Sequence, residues 1–149
     1  MSARSRADLP GAARVVVKVG SSSISGDGAH RIEKIVDALA AAHARGSEIV
    51  LVSSGAIATA LPLLNLDGRP HDLATQQAAA AVGQNVLMWR YQTSLERFGL
   101  LAGQVLLTAG DLENSTHRSN ARRAMERLLG LRILPIVNEN DTVATHEIR

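Results

Sequence analysis

The sequence predicts an α/β domain built on a parallel sheet, and two observations support this fold class. Four short apolar runs, rich in Val, Ile and Leu, have the length and composition of buried strands. The segments between these runs carry the apolar periodicity or the terminal residues of helices. Because strands that alternate with helices along a chain form parallel sheets, we expect a parallel sheet with right-handed crossover connections.

The first strand and helix follow an N-terminal segment, residues 1–13, that shows no periodicity and is expected to be a flexible tail. Residues 14–19 form a β-branched run that Gly20 ends, which predicts a fully buried strand. Residues 29–45 predict a helix with a C-terminal glycine cap at Gly46. Its apolar face is formed by residues at helical spacing, namely Ile32, Ile35, Val36 and Leu39.

The middle of the chain predicts a second buried strand over residues 48–52. A loop is expected over residues 62–71, where Pro, Asn, Asp and Gly are concentrated. Asp72 is a candidate N-cap for a long helix that reaches Phe98. Since the first half of this helix is nearly all alanine, a neighbouring backbone is expected to approach it closely, and Gly83 is a candidate interruption.

The last third predicts two further strands, over residues 104–107 and 133–137. Pro135 argues against a central position for the fourth strand, because proline donates no hydrogen bond to a neighbouring strand. A short strand-like stretch is expected after Asp141. Between the two strands, a helix is predicted to begin at Asn114 or Ser115 and to reach about Leu129. Its buried face is expected to contain Ala121, Ala124, Met125 and Leu128.

Composition argues against several classes of function. The net charge is only +2, the basic residues are scattered and aromatic residues make up 2 %, which does not suit nucleic-acid binding. The chain has no cysteine, and its five histidines lack metal-ligand spacing. The most apolar window, residues 49–64, is too short and interrupted to span a membrane, and no signal peptide is indicated. A cytoplasmic protein is expected.

Polar residues stand at the end of every predicted strand. In open α/β sheets, ligands bind at the carboxyl ends of the strands, so these residues are expected to converge on one binding site. In strand order they are residues 18–21, residues 53–55, Thr108 and residues 138–141.

Lys18 is the strongest single candidate, because it ends a valine-rich strand in a chain with two lysines and fourteen arginines. A compact ammonium beside Gly and Ser amides suits a phosphoryl group. The alternative is a lysine that extends its charge into solvent. The sequence after Lys18, Gly20 to Ser23, could form an amide-lined phosphate loop, although it lacks the Walker pattern and a common turn is the alternative.

The clusters after the second and fourth strands suit ligand binding. Ser54 lies in no nucleophile-elbow pattern, so a binding hydroxyl next to backbone amides is favoured, with helix capping as the alternative. Residues 138–141 place two amides and two acids together, and a carboxylate there could hold a substrate ammonium. Gln84 is interpreted as an ordinary polar residue of a helix, without a functional role.

These residues resemble the glutamate 5-kinases, a branch of the amino acid kinase family. The Asn-Glu-Asn-Asp block, combined with Ser-Ser-Gly-Ala-Ile-Ala, is specific to this branch. Related kinases that act on N-acetylglutamate, aspartate, carbamate or uridylate share mainly the lysine–glycine start. The matching stretches run in family order over residues 15–22, 52–58, 77–84, 103–108 and 136–144.

The resemblance implies a three-layer α/β/α sandwich with a mainly parallel sheet, in which Pro135 has a family counterpart. It implies that Lys18 is catalytic and contacts the transferred phosphoryl group, beside an amide loop at Gly20 and Ser21. It implies no protein metal site. The residues implied to bind glutamate are Ser54, Gly55, Ala56, Asn138 and Asp141.

The implied activity is that of a transferase. It uses ATP with Mg²⁺ to phosphorylate the side-chain carboxylate of L-glutamate to glutamyl 5-phosphate, the first step of proline biosynthesis. L-proline is the implied feedback inhibitor, a homodimer or homotetramer is the implied assembly, and neither nucleic acid nor membrane is an implied partner.

The chain departs from the family in two ways. The family often continues with Ala-Gly after Ala58, where this chain has Thr59 and Ala60. The family's kinase domain also extends well past the equivalent of Arg149. The resemblance therefore implies that residues 14–149 are the glutamate-binding part, without the nucleotide-binding half, and that this piece has no turnover alone. Two alternatives remain open: another kinase of the same fold, and a non-catalytic module that binds glutamate or proline.

Overall fold

A computed structural model describes residues 4–24 and 27–143 of the chain. Its four strands are β1 (Arg14–Val19), β2 (Glu48–Ser53), β3 (Ala102–Leu107) and β4 (Leu134–Glu139). Its helices are α1 (Ser21–Ile24), α2 (Gly28–Ala44), α3 (Ala56–Ala60), α4 (Leu73–Glu96), α5 (Ala109–Glu113) and α6 (Ser115–Gly130). A 3-10 helix, Arg6–Gly11, precedes β1. The four predicted strands and the three predicted helices, α2, α4 and α6, occur in the expected order, and the short helices α1, α3 and α5 are additions to it.

The four strands form one parallel sheet in the order β1-β2-β4-β3. Helices α2 and α4 cover one face, where they enclose the apolar core with Leu51, Tyr91 and Ile136 at its centre. Helix α6 packs on the opposite face, where Leu128 lies over Gly103 of β3. The result is the three-layer α/β/α arrangement that was expected.

Burial separates the two central strands from the edge strand β1. The apolar runs of β2 and β4 are largely buried, as predicted. The prediction of full burial for residues 14–19 was wrong, since β1 has one neighbouring strand and Val16 is 62 % exposed. A run of valines fits an edge strand as well as a central one, because only the face of β1 that turns toward α2 and α4 is packed.

Pro135 lies in a central strand, contrary to the argument from its missing N–H. The backbone N–H of its neighbour Leu134 donates to Leu101 O on the β3 side. Because the backbone N–H groups of successive strand residues point to opposite sides, the nitrogen of Pro135 points to the β2 side. The paired residues of β2 and β4 begin one residue later, at Leu51 and Ile136. The proline therefore occupies a position where no ladder donor is required.

Helix α4 follows the prediction at its start and departs from it at Gly83. The Asp72 carboxylate accepts a hydrogen bond from Thr75 N at 2.9 Å and caps the helix as expected. The helix ends at Glu96, before Phe98, and Gly83 does not interrupt it. Gly83 is instead the point of close approach to α3, since a Cβ placed there would lie 1.6 Å from Ala56 O.

Helix α6 begins as predicted, with the Asn114 side chain accepting hydrogen bonds from Thr116 N and His117 N at 3.0 Å. Its predicted buried face is only partly covered. Ala121, Met125 and Leu128 are half-buried and Ala124 is exposed, whereas Leu129, which lies outside the predicted face, is buried. The cause is an open groove of about 620 Å³ between this face and the edge strand β3.

The chain ends differ from the prediction or lie beyond it. Within the expected tail, Arg6–Gly11 form a 3-10 helix instead of irregular chain, because Asp8 and Ser5 cap it reciprocally. After β4, residues 141–143 form a turn, and the strand-like stretch expected beyond them falls on residues 144–149, outside the described residues. No helix in the described parts of the chain has the length and apolarity needed to cross a membrane.

Candidate functional site

Two adjoining cavities open where β1, β2 and β4 end. The first, here called the serine cavity, measures about 240 Å³. The second, here called the lysine cavity, measures about 370 Å³ and includes Lys18 and Thr108. Both are lined by Ser54, Asn138 and Glu139. The serine cavity is lined by Ser21, Ser54, Gly55, Ala56, Ile57, Ala58, Arg69, Asn138, Glu139 and Asp141.

Most residues implied by the sequence are thus brought together at one edge of the sheet. Gly20 is the exception, because it lines neither cavity, and a Cβ placed on it would meet nothing within 4 Å. It still links Lys18 to Ser21, which line the lysine and the serine cavity respectively. The expected convergence of strand ends is therefore observed, with the end of β1 and the residues that follow it contributing to both cavities.

Ser54 is held by the neighbouring strand rather than by the helix that follows it. Its backbone N–H and its hydroxyl both donate to Val19 O, at 3.1 and 3.3 Å. The N-cap of α3 is Gly55, which makes no side-chain cap. Helix capping by Ser54, the alternative interpretation, is therefore not observed. The hydroxyl oxygen keeps its acceptor capacity at the rim of both cavities.

Gly55 is required by two features of the turn after β2. Its φ is +99°, a left-handed conformation that side chains rarely adopt. A Cβ would also lie 3.0 Å from Ile24 Cδ1 and 3.1 Å from Ser21 Cα, so the turn packs closely on α1. This contact brings the end of β1 and the end of β2 to the same cavity.

Ser53, next to Ser54, faces the core. Its hydroxyl lies 3.3 Å from the hydroxyl of Tyr91, which is fully buried in α4. Burial raises the pKa of Tyr91, and the hydrogen bond with Ser53 opposes that effect. The hydrogen bond anchors β2 on α4, and burial keeps the phenol neutral.

Asn138 has a fixed side-chain orientation. It is 6 % exposed, its Nδ2 donates to Gln84 Oε1, and its Oδ1 accepts from Glu139 N at 2.8 Å. One Nδ2 hydrogen is left for a ligand. Gln84 was predicted to be an ordinary polar helix residue, so this contact was not expected.

Arg69 is a second residue that the sequence analysis missed. It lies in the loop between α3 and α4, for which only irregular structure was predicted, and it lines the serine cavity with Asp141. Its proximity to the site depends on the packing of α3 on α4. The alanine-rich first half of α4 predicted a close backbone approach, but it did not reveal which segment would make the approach.

Thr108 lines the lysine cavity but has a structural task as well. Its hydroxyl accepts from Asp111 N at 3.1 Å, and its backbone N–H donates to the Asp111 carboxylate at 2.8 Å, which caps α5. Hydrogen bonds from Thr108 N and from His117, which lies 2.9 Å away, hold the pKa of Asp111 below its usual range. The end of β3 is thus a rigid wall of the lysine cavity.

The site brings acidic and basic side chains together. Within residues 4–24 and 27–143, no group of three His, Asp or Glu side chains is placed to hold a metal ion. The arrangement provides hydroxyl, amide, carboxylate, ammonium and guanidinium groups around two connected cavities. These groups suit a small zwitterionic or anionic ligand beside a second anion.

Comparison with known proteins gives a consistent result. Residues 13–149 match the amino acid kinase family. The chain is 72 % identical over 149 residues to a glutamate 5-kinase of Clavibacter sepedonicus, matching all of this chain and 58 % of that protein. It is 72 % identical to a glutamate 5-kinase of Leifsonia xyli subsp. xyli (strain CTCB07), covering 55 % of it.

A more distant relative is similar over the same region. The chain is 54 % identical over 150 residues to a glutamate 5-kinase of Thermobifida fusca (strain YX), which covers 98 % of this chain and 39 % of that protein. The chain therefore spans between about two fifths and three fifths of the length of these curated relatives.

Proposed function

The chain belongs to the amino acid kinase family, and we propose that it carries the glutamate-binding part of a glutamate 5-kinase. Such an enzyme transfers the γ-phosphoryl group of ATP to the side-chain carboxylate of L-glutamate, the first step of proline biosynthesis. One observation above all supports the proposal. The serine cavity combines Ser54, Asn138 and Asp141 at the strand ends, and it adjoins the cavity that holds Lys18.

The serine cavity has the groups that an amino acid requires. In the proposed complex the Asp141 carboxylate holds the ligand ammonium, since opposite charges attract most strongly where water is displaced. The free Nδ2 hydrogen of Asn138 and the Ser54 hydroxyl hydrogen-bond to polar ligand atoms. Gly55, which has no side chain, and Ala56, which has only a methyl group, line the cavity wall.

The lysine cavity has a cation where phosphoryl transfer needs one. In the proposed reaction a carboxylate oxygen of glutamate forms a bond to the γ-phosphorus of ATP, and the bond from that phosphorus to the β,γ-bridging oxygen breaks to release ADP. The nucleophile is already ionised, so no protein base is required. Lys18, which lines the lysine cavity, faces the negative charge on the transferred phosphoryl oxygens. The backbone amides of Gly20 and Ser21, which follow Lys18 closely in the chain, are the proposed further phosphoryl contacts.

ATP with Mg²⁺ is the proposed cofactor. Mg²⁺ neutralises phosphate charge when it is bound, and it commonly reaches a kinase through the nucleotide's own phosphates. The described residues fit that mode, since they offer Lys18 for the phosphates and no cluster of metal-binding carboxylates. The protein's own contribution is to hold two mutually repelling anions in line.

The remaining assignments are proposals of the same kind. Residues 14–149 are proposed to form the glutamate-binding part of the kinase domain. L-proline is the proposed feedback inhibitor at or near the glutamate site. A homodimer or homotetramer in the cytoplasm, without nucleic-acid or membrane partners, is the proposed setting.

Thermal unfolding of the 149-residue chain with added ligands tests the proposed function. The ligands are L-glutamate, L-proline, N-acetylglutamate, L-aspartate and UMP, each in turn. We expect stabilisation by L-glutamate, or by L-glutamate and L-proline, and none by the other three. A cooperative transition that shifts only with N-acetylglutamate, L-aspartate or UMP would instead assign the chain to another kinase of this fold.

Two variants locate the binding site. Ser54→Ala and Asp141→Asn should abolish most of the shift that L-glutamate produces, because each removes a proposed ligand contact. Glu33→Gln, an exposed charge removal on α2, is the matched control and should leave the shift unchanged. Equal shifts in all three variants would place glutamate elsewhere on the chain.

A further inference from the structure

Arg69 is the one basic side chain among the described residues that line the serine cavity. The residue is exposed, and its guanidinium forms neither an ion pair nor a hydrogen bond with any other residue of the described parts of the chain. A guanidinium at a cavity wall without a protein partner is available to a ligand.

The backbone that carries Arg69 is held in place on both sides. Directly after it, Pro70 O accepts a hydrogen bond from Gln76 Nε2 at 2.8 Å, and Gln76 is buried in α4. Directly before it, Gly68 adopts a φ of +103° and its N–H donates to Leu66 O at 2.8 Å. The loop is therefore anchored next to Arg69, although the Arg69 side chain has no partner of its own among the described residues.

Arg69 is the described lining residue of the serine cavity whose charge attracts a ligand carboxylate. Glu139 and Asp141 line the same cavity, and a carboxylate side chain does not attract a second carboxylate. A planar guanidinium can also form two parallel hydrogen bonds to one carboxylate.

We propose that Arg69 binds the α-carboxylate of the amino-acid ligand and so contributes to substrate specificity. This inference rests on the proposed function. The serine and lysine cavities share Ser54 and Asn138, while Arg69 lines only the first and Lys18 only the second. A ligand that spans both cavities directs one carboxylate toward Lys18 for phosphoryl transfer, and its other carboxylate lies toward Arg69.

Isothermal titration of the 149-residue chain with three probes tests the inference. The probes are L-glutamate, glutarate, which lacks the ammonium, and γ-aminobutyrate, which lacks the α-carboxylate. Arg69→Gln should weaken L-glutamate and glutarate at least about tenfold, as expected for a lost charged hydrogen-bonded pair. It should change γ-aminobutyrate binding by less than about twofold, because that probe has no group for Arg69.

Two further variants separate charge from geometry. Arg69→Lys keeps the positive charge but lacks the planar guanidinium. Its affinity for L-glutamate should therefore lie between that of the wild type and that of Arg69→Gln. Arg45→Gln removes an exposed arginine just after α2, at the opposite end of the strands, and should leave all three probes unchanged. Equal weakening by Arg45→Gln and Arg69→Gln would show a general effect of net charge and overturn the inference.

The remaining outcomes distinguish this inference from the proposed function. If L-glutamate binds and depends on Asp141 but not on Arg69, the inference fails and the proposed function stands. If glutarate binding depends on Arg69 while L-glutamate does not bind, the carboxylate site stands and the proposed substrate is wrong. If Arg69→Gln weakens γ-aminobutyrate as much as L-glutamate, Arg69 does not select the α-carboxylate. Binding of neither L-glutamate nor glutarate overturns both.

Discussion

The side chains of Asn138 and Gln84 are joined by a hydrogen bond that ties the end of β4 to the middle of α4. Asn138 donates from Nδ2, and its Oδ1 is already occupied by Glu139 N at 2.8 Å. Gln84 therefore determines which atom of the Asn138 amide points into the site. A residue on a helix that was expected to be ordinary thus positions a proposed ligand-binding residue.

Replacing Gln84 should affect both stability and ligand binding. Gln84→Ala leaves the nearly buried Asn138 amide without its acceptor, so we expect the free energy of unfolding to fall by about 1–3 kcal/mol. Gln84→Glu keeps an acceptor oxygen and should lose less. Urea denaturation measures the stability, and the thermal shift with L-glutamate measures the orientation of Asn138.

Asn85→Ala is the matched control for this prediction, since Asn85 is an exposed amide one residue along the same helix. It should change the free energy of unfolding by no more than about 0.5 kcal/mol. If Gln84→Ala behaves like Asn85→Ala in both measurements, the hydrogen bond to Asn138 has no role in positioning.

Gly83→Ala should be strongly destabilising. A Cβ at this position would lie 1.6 Å from Ala56 O and 2.4 Å from Ala56 C, so two backbones must separate. We expect a loss of about 3 kcal/mol in the free energy of unfolding, at the upper end of the usual range for overpacking. Because Ala56 lines the serine cavity, the thermal shift with L-glutamate should shrink as well.

Gly130→Ala provides the contrasting case. Gly130 is the last residue of α6, its φ is not positive, and a Cβ there would meet nothing within 4 Å. Alanine should therefore leave stability unchanged or raise it by up to about 1 kcal/mol. Similar losses from both substitutions in urea denaturation would mean that α3 does not pack on Gly83 as described.

The elements of the fold could be predicted because each depends on local pattern, whereas the strand order could not. Apolar periodicity and the caps at Asp72 and Asn114 locate helices within a few residues. The placement of β4 between β2 and β3 is a long-range choice, and Pro135 even argued against it. Pro135 is tolerated there because its nitrogen points toward β2 at a position where no hydrogen bond between the strands is formed. The sequence does not reveal this direction.

The residues of the candidate site likewise include some that the sequence predicts and some that it does not. Ser54, Asn138 and Asp141 could be predicted because strand ends meet at one edge of any parallel sheet. Arg69 and Gln84 could not, since they lie on a loop and a helix that reach the site only through the close approach of α3 and α4. The predicted close approach of a backbone to the alanine-rich half of α4 is confirmed at Gly83, whereas the helix interruption suggested there is not observed, and the sequence did not identify α3 as the approaching segment.

His43 should make stability depend on pH. It is 8 % exposed, and burial followed by the charge of Arg132, whose Nη2 lies 3.2 Å from Nδ1, lowers the pKa of His43 below 6.5. As pH falls through 6.5, the unfolded chain takes up a proton that the folded chain resists, so stability falls. We expect His43→Gln to lose less stability than the wild type between about pH 7.5 and pH 5.5.

His30→Gln is the control for this pH dependence, because His30 is exposed near the start of the same helix. Urea denaturation at both pH values should give the same difference for His30→Gln as for the wild type. A pH dependence that is unchanged by His43→Gln would show that the buried imidazole is protonated equally in the folded and unfolded chains.

Lys18 leads to a prediction about turnover. It is the one basic side chain among the described residues lining the lysine cavity, which it shares with Glu139. Phosphoryl transfer to a carboxylate brings two anions together and requires more positive charge than one lysine supplies. We expect the purified, mass-verified 149-residue chain to show no steady glutamate-dependent ADP release.

Lys18→Ala is the control for contaminating kinases, because ADP release by a contaminating kinase does not depend on Lys18 of this chain. Steady release that requires L-glutamate and disappears in Lys18→Ala would prove the chain competent alone and contradict this prediction.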